Sequence, residues 1–286
     1  MKLTRRAGGD PAGVVTTEVD IVRGGTSSRE RDAVAAEEPL QIRVVHGPAG
    51  ARAETDLAVT MRTPGDDTAL ALGFLHGEGV VHAADDVAAV REGENTVSVE
   101  LAPSVAYDAE RLRRNVYTSS SCGICGVASI EAVQVHIPDI AGQDAFSLEP
   151  TVLGTLPARL RAEQAAFEET GGLHASGAFD AGGQVVVAAE DVGRHNALDK
   201  LVGHLMAEDR LPMTALGLIF SGRASFELVQ KAAMAGCPFI AAIGPPSSLA
   251  VVLAAEQRMT LVGFLREDRF NVYTLPHRVR TAAGDR

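Results

Sequence analysis

Apolar positions are unevenly spread along this chain. The first 36 residues carry one short apolar patch, at 19–22, among Gly, Ser, Arg and acidic residues; this composition predicts a mostly mobile N-terminal arm. Regular patterning begins near Pro39. Residues 40–46 and 57–62 read as strands, and Pro64-Gly65 marks a turn. Asp66 or Asp67 then caps a helix through Leu70, Leu72, Phe74 and Leu75 that stops at Gly77 and Gly79. Residues 96–101 alternate as a further strand. Residues 37–118 therefore predict a small N-terminal α+β domain.

From about residue 127 the rhythm changes. Residues 185–189, 216–220, 239–243 and 261–265 are short apolar runs of the kind buried in a sheet. Between them lie helical stretches at 197–206, 226–235 and 249–257. Strands alternating with helices predict a mainly parallel sheet covered on both faces, an α/β domain over residues 119–280. The chain shows no internal repeat.

Bulk properties narrow the classes of function. The chain has 286 residues, of which 46% are hydrophobic and 22% charged, as in an ordinary globular protein. No apolar run reaches the roughly 18 to 20 residues that cross a bilayer. The N-terminus shows no apolar core of a secretory signal, and three cysteines are too few for a disulfide framework, so the cytoplasm is the expected location. A formal net charge of −11 argues against coating nucleic acid or an anionic membrane. It leaves room for a small anion held by a local cluster of arginines and backbone amides. Trp is absent and aromatics are 4%, which disfavours stacking platforms for single-stranded nucleic acid.

The densest chemistry lies in Ser119-Ser120-Ser121-Cys122-Gly123-Ile124-Cys125-Gly126. Glycines allow unusual backbone angles, and serine hydroxyls and amides can stabilise a thiolate. Cys237, beside Pro238 in an apolar stretch, reads instead as a small core residue. Three chemistries fit a Cys-x-x-Cys pair. Zinc with an upstream His76-Gly77-Glu78 element fits poorly: His76 falls at a helix end and Ser121 stands where a proline is expected. His174 follows the pair, with Ser176 in place of a Glu. A thioredoxin-like dithiol lacks its aromatic before the first cysteine. A persulfide carrier, in which a thiolate accepts sulfur and passes it on, is the third. Spacing alone does not choose among them.

Two further elements leave the carboxyl ends of expected strands: Ser221-Gly222-Arg223, and Gly244-Pro245-Pro246-Ser247-Ser248. Ligands of open α/β sheets sit at such ends, and helix N-termini offer free amides to anions. Arg194, His195 and Asn196 open a helix with adjacent hydrogen-bonding groups, whereas Asp199 and Lys200 read as its solvated face. Arg266 and Arg269 follow the last core strand, where forked guanidinium donors suit a phosphate.

Taken together these segments resemble the FdhD family of formate dehydrogenase accessory sulfurtransferases. The resemblance rests on residues 120–126, 170–175, 190–200, 221–227 and 246–251, which occur in the family's order across residues 37–278. It implies that the second domain is a cytidine-deaminase-like α/β sandwich without deaminase activity, and that the protein is a homodimer. It implies that Cys122 carries a persulfide received from a cysteine desulfurase, that Cys125 assists, and that the sulfur goes to molybdenum in a bis(molybdopterin guanine dinucleotide) cofactor destined for formate dehydrogenase. Phe264, Leu265, Arg266, Glu267, Asp268 and Arg269 match the family's cofactor-contacting segment. No protein-ligated metal is implied. The rival reading is a cofactor-binding chaperone that moves no sulfur covalently.

Overall fold

The computed structural model describes residues 4–5, 13–107, 137 and 146–281. Three sheets and six α-helices make up this part of the chain. Strand β1 (Thr4–Arg5) pairs with β2 (Val14–Arg23), which pairs residue for residue with β3 (Thr26–Ala35). Residues 14–35, expected within an arm, are thus a long antiparallel hairpin. Gly24-Gly25, both at positive φ (57° and 86°), supplies the two-residue turn that matches the twist of the flanking strands. Arg29 and Glu18 pair across the strands at 2.8 Å, so the polar composition that suggested an arm instead decorates a ladder closed by backbone hydrogen bonds.

The second sheet has the order β5-β4-β7-β6, from β4 (Glu38–His46), β5 (Ala53–Arg62), β6 (Val87–Gly93) and β7 (Thr96–Leu101). Alternate residues Leu40, Ile42, Val44, Val97, Val99 and Leu101 are buried on one face. Helix α1 (Asp67–Gly77) covers that face with Leu70 and Leu75. Asp66 sits at its N-cap position and the helix stops before Gly79, as expected, but the Asp66 side chain accepts no capping bond and turns instead to His204 on a second helix. The apolar residues of α1 run all round, which fits burial on two sides: the sheet lies on one and that second helix on the other.

The third sheet has the order β13-β12-β11-β10-β8-β9. Its strands are β8 (His174–Phe179), β9 (Val185–Asp191), β10 (Gly217–Phe220), β11 (Phe239–Ala242), β12 (Thr260–Gly263) and β13 (Asn271–Thr274). Only β10, β11 and β12 run parallel; β8, β9 and β13 pair antiparallel. The expectation of a mainly parallel sheet is corrected here. β8 and β9 are joined by the tight turn 180–184, and β13 folds back on β12, so neither edge needs a helical crossover.

Helices cover both faces of this sheet, as expected. Helix α2 (Pro150–Ala162) packs Leu153, Leu156 and Leu160 against Phe179, Phe239 and Val262. The short α3 (Ala165–Thr170) follows it and meets the base of the hairpin through Ala166 and Phe167, against Val14, Ala33 and Ala35. The opposite face carries α4 (Arg194–Ala207), α5 (Phe226–Met234) and α6 (Ser248–Glu256), with Leu198, Leu201, Leu228 and Leu253 in one core. Both faces are therefore sealed, and the carboxyl ends of β10, β11 and β12 remain the open rim.

Helices α1 and α4 cross in backbone contact. A Cβ on Gly73 would lie 1.8 Å from the Asp199 carbonyl oxygen, and one on Gly203 would lie 1.9 Å from that of Ala69. Only glycine permits this approach. It locks the α1 sheet layer to the six-stranded layer.

Candidate functional site

The loops leaving β10 and β11 pair with each other beyond the strand ends. Gly244 N–H donates to Gly222 O at 2.9 Å, Ala224 N–H to Pro245 O at 3.2 Å, and Ser247 N–H to Ala224 O at 3.0 Å. Ser247 also caps α6 by accepting from Ala250 N–H at 3.3 Å. The two helix openings singled out in the sequence thus form one braced rim, not two separate turns.

Residues 264–269 close the rim from β12. Phe264 N–H donates to Gly244 O (3.0 Å) and Leu265 N–H to Ala242 O (3.1 Å). These bonds hold Phe264 in the left-handed region, at φ 52°, a conformation costing roughly 1 kcal/mol for a side-chain-bearing residue. Phe264 is 42% exposed, while Leu265 is fully buried and anchors the segment. The Arg266 guanidinium donates to Ile243 O at 2.8 Å and to Leu265 O at 2.7 Å. Glu267, Asp268 and Arg269 are exposed. Arg223 is exposed on the neighbouring loop. Helix α2 packs directly on the segment: a Cβ on Gly154 would lie 2.2 Å from Glu267 O.

Beside the rim lies a cleft of about 580 Å³ between α2, α3 and the ends of β8, β10 and β11. Pro157, Arg161, Gln164, Phe167, His174 and Ser221 are among its walls. His174 is half-buried, and burial, followed by the positive charges of Arg194 and His195, pushes its imidazole below the ordinary histidine value. It is therefore neutral near pH 7 and able to donate from one nitrogen and accept at the other. Ser221 Oγ is engaged by Ala175 N–H at 2.8 Å, which fixes the start of β8 to the end of β10.

The segment 190–200 does something other than the sequence suggests. Asp191 is fully buried and its carboxylate takes the Lys200 ammonium at 2.9 Å, Thr63 N–H at 3.0 Å, Gly193 N–H at 2.8 Å and Asn196 Nδ2 at 3.1 Å. Lys200 donates onward to Thr63 O at 2.8 Å, and Asn196 to Met61 O at 2.8 Å. Asp199 holds Lys231 at 2.7 Å. Both Asp199 and Lys200 are 2% exposed, so the reading of a solvated helix face is corrected. A charge enters an interior when a partner on another element satisfies it, and spacing along one helix does not reveal that Asp191 on β9, Lys231 on α5 or the Thr63 backbone is brought beside it. These groups join the end of β5 to α4. His195 similarly ties α4 to the first turn of α5 through Glu227, at 2.6 Å.

His76, weighed as a zinc ligand, is buried, with Nδ1 bonded to Val81 O at 3.1 Å. Cys237 is fully buried as expected, and burial pushes its thiol up to about 12. Cys122 and Cys125 lie outside the described residues. Of the cleft walls, His174 and Ser221 stood out in the sequence, whereas Pro157, Arg161, Gln164 and Phe167, on and between α2 and α3, did not, because those short helices show only weak periodicity. Gln164 in particular carries no local signal, since its burial comes from neighbours distant in sequence.

The sequence model described as the FdhD/NarQ family matches residues 35–280. A Streptomyces avermitilis protein named sulfur carrier protein FdhD is 50% identical over 274 residues, covering 92% of this chain and 94% of that protein. A Mycobacterium tuberculosis protein of the same name is 45% identical over 87% of this chain and 92% of its own. Among solved structures, a Desulfotalea psychrophila protein assigned as a formate dehydrogenase accessory protein superposes with a TM-score of 0.74 at 23% identity. That match covers 94% of this chain and all of the other; at this identity the likeness concerns the fold.

Proposed function

Since the chain belongs to the FdhD/NarQ family, we propose that it is a sulfur carrier that takes a persulfide on Cys122 and hands its outer sulfur to the molybdenum of a bis(molybdopterin guanine dinucleotide) cofactor, for use by formate dehydrogenase. The observation that carries this reading is an elimination among three cysteines. Cys237 is fully buried and its thiol is held up at about 12, so it supplies no thiolate at neutral pH. Sulfur carriage then falls to the Cys122-Gly123-Ile124-Cys125 segment. Relatives named sulfur carrier proteins, at up to 50% identity over most of their length, support the same assignment.

The chemistry needs no external oxidant in its loading step. The Cys122 thiolate attacks the outer sulfur of a persulfide on a cysteine desulfurase; a new S–S bond forms on Cys122, and the desulfurase thiolate departs. For release, the Cys125 thiolate attacks the inner sulfur of the Cys122 persulfide. The outer sulfur leaves as sulfide toward the metal, and a Cys122–Cys125 disulfide remains for a dithiol reductant to reopen.

The strand-end rim supports a place for the anionic dinucleotide. Arg223, Arg266 and Arg269 lie on adjoining loops there, with Arg194 opening α4, in a chain whose net charge is −11. A local positive cluster can hold a diphosphate even on an acidic protein. Residues 264–269 are the cofactor-contacting segment in this reading. The second domain is read as cytidine-deaminase-like, the assembly as a homodimer and the location as the cytoplasm. No helix among the described residues is long and apolar enough to cross a membrane.

Intact mass after incubation with a cysteine desulfurase and cysteine tests the reading. A gain of one sulfur, reversed by reductant and absent from Cys122→Ala, is the expected result. Retained activation of formate dehydrogenase by Cys122→Ala would instead favour a chaperone.

A further inference from the structure

We propose that the outer face of the four-stranded sheet, where β4 starts and β5 ends, is the docking surface for the protein that delivers the sulfur. That donor meets it with an apolar side chain ringed by lysines or arginines. The proposal rests on the sulfur-carrier reading for what the partner brings, whereas the partner's surface chemistry follows from the patch. Helix α1 covers the inner face of this sheet. On the outer face Met61 stands opposite Pro39, and Val59 opposite Gln41, with Thr96 on the far side of Gln41. None of the five carries a charge, and Val59 and Met61 are 63% and 46% exposed. Strand β5 is an edge of its sheet, and residues 57–61 hold neither a charge nor a proline, two of the devices that blunt an open edge. An exposed apolar pair on such an edge marks a contact surface.

Charge decides what covers it. Residues 37–107 hold twelve Asp and Glu against four Arg and no Lys, which is −8 of the chain's −11. Residues 146–281 are nearly balanced, with fourteen acids against twelve Lys and Arg. Acids of the first group gather at the same end of the sheet as the apolar patch. Arg62 holds Asp67 at 2.7 Å, Glu38 at 3.6 Å and the Asn95 side chain at 3.1 Å, while Glu92 accepts from Thr68 N–H at 3.1 Å. Asn95 O in turn accepts from Gln41 N–H at 2.9 Å, within the patch itself. Glu37, Asp66 and Glu94 are chain neighbours of these residues and are exposed. The Arg62 guanidinium is buried, so it does not present its charge to a visitor.

A visitor therefore meets an apolar centre bordered by carboxylates. A second copy of this chain, itself acidic, is repelled there, and so are the phosphates of an anionic cofactor. A protein with a basic rim is attracted and steered. The two clients of a sulfur carrier, a donor protein and an anionic acceptor, are thereby sorted to surfaces of opposite sign: the donor to this patch, the acceptor to the arginine rim. The patch is also braced on the layer that carries the rim, because Met61 O accepts from Asn196 and Thr63 N–H donates to Asp191.

Equilibrium binding of the full-length protein to a purified cysteine desulfurase tests this, with sulfur gain on Cys122 read in parallel by intact mass. Glu37→Lys combined with Glu94→Lys is expected to weaken binding about 10-fold or more at low salt and to flatten its salt dependence. Val59→Thr combined with Met61→Thr, which keeps residues suited to a strand, is expected to weaken binding about 10-fold at every salt concentration. All four side chains are exposed, so melting temperatures should stay close to that of the parent. Both double variants should take sulfur from inorganic polysulfide as fast as the parent does, because that donor needs no docking surface. Parental desulfurase affinity in both variants would overturn the surface. So would a change of oligomeric state in either variant without desulfurase, which would give the patch to a second copy. Sulfur gain from the desulfurase at the parental rate in both variants would sink the surface and leave the sulfur-carrier reading standing. Donor binding that the variants lose, with no sulfur gained by the parent from either donor, would do the reverse.

Discussion

The Lys200 ammonium lies 2.9 Å from the Asp191 carboxylate, in a place where the two side chains are 2% and 0% exposed. Four donors converge on that carboxylate, two of them from backbone amides that no side-chain substitution removes. The pair joins the last residues of β5 to the first turns of α4, and so joins two sheets. It also sets the start of α4, whose Arg194 and His195 face the cleft histidine.

Replacing Lys200 with Met should therefore be severe. It leaves a fully buried carboxylate without its cation and should cost about 3–5 kcal/mol in chemical denaturation. A loss below about 1 kcal/mol would mean that the amide donors alone suffice, and the pair would lose its assigned role.

The α1–α4 crossing makes an independent prediction. Gly73→Ala or Gly203→Ala drives a methyl into a backbone carbonyl of the facing helix and should cost about 1–3 kcal/mol or more. Gly50→Ala, with nothing within 4 Å of the added carbon, should stay within about 0.5 kcal/mol of the parent. Equal melting temperatures for all three would show that the helices slide apart at little cost.

Thiol chemistry separates the cysteines. Under native conditions near neutral pH an alkylating reagent should spare Cys237, whose thiol is pushed up to about 12 by burial, and should reach it only after denaturation. Peptide mapping reports this directly. Rapid native labelling of Cys237 would undo the elimination that directs sulfur carriage to Cys122.

Part of the acid sensitivity should trace to a histidine outside the site. Burial holds His76 below its ordinary 6.5, a pull partly offset by the Val81 carbonyl. A depressed folded-state value means the unfolded chain binds the proton first. Stability is therefore full above about pH 6.5 and declines as pH falls through the folded-state value. His46 and His174 act in the same direction. His204, raised by its hydrogen bond with Asp66, acts oppositely: its contribution is full below about pH 6.5 and fades as pH rises. His76→Gln should flatten the fall in melting temperature between about pH 7.5 and about pH 5.5. An unchanged slope would place the acid response elsewhere.

Much of this protein is legible in one dimension. The strands around Leu40–Val44 and Val97–Leu101 alternate with period two, the helix from Asp67 announces its start and stop, and the strand–helix series after residue 180 emerges from its apolar runs. The burial of Cys237 is legible too, because apolar surroundings are a local property. Tertiary structure decided the rest. The hairpin at residues 14–35 is specified by pairing between strands whose own composition is that of a loop. Asp199 and Lys200 look like surface charges until Lys231, Asp191 and Thr63 are brought beside them. The cleft around Gln164 exists only where α2, α3 and three strand ends meet. A period or a cap is written in neighbouring residues, whereas the burial of a charge or an amide depends on groups that only folding brings into contact.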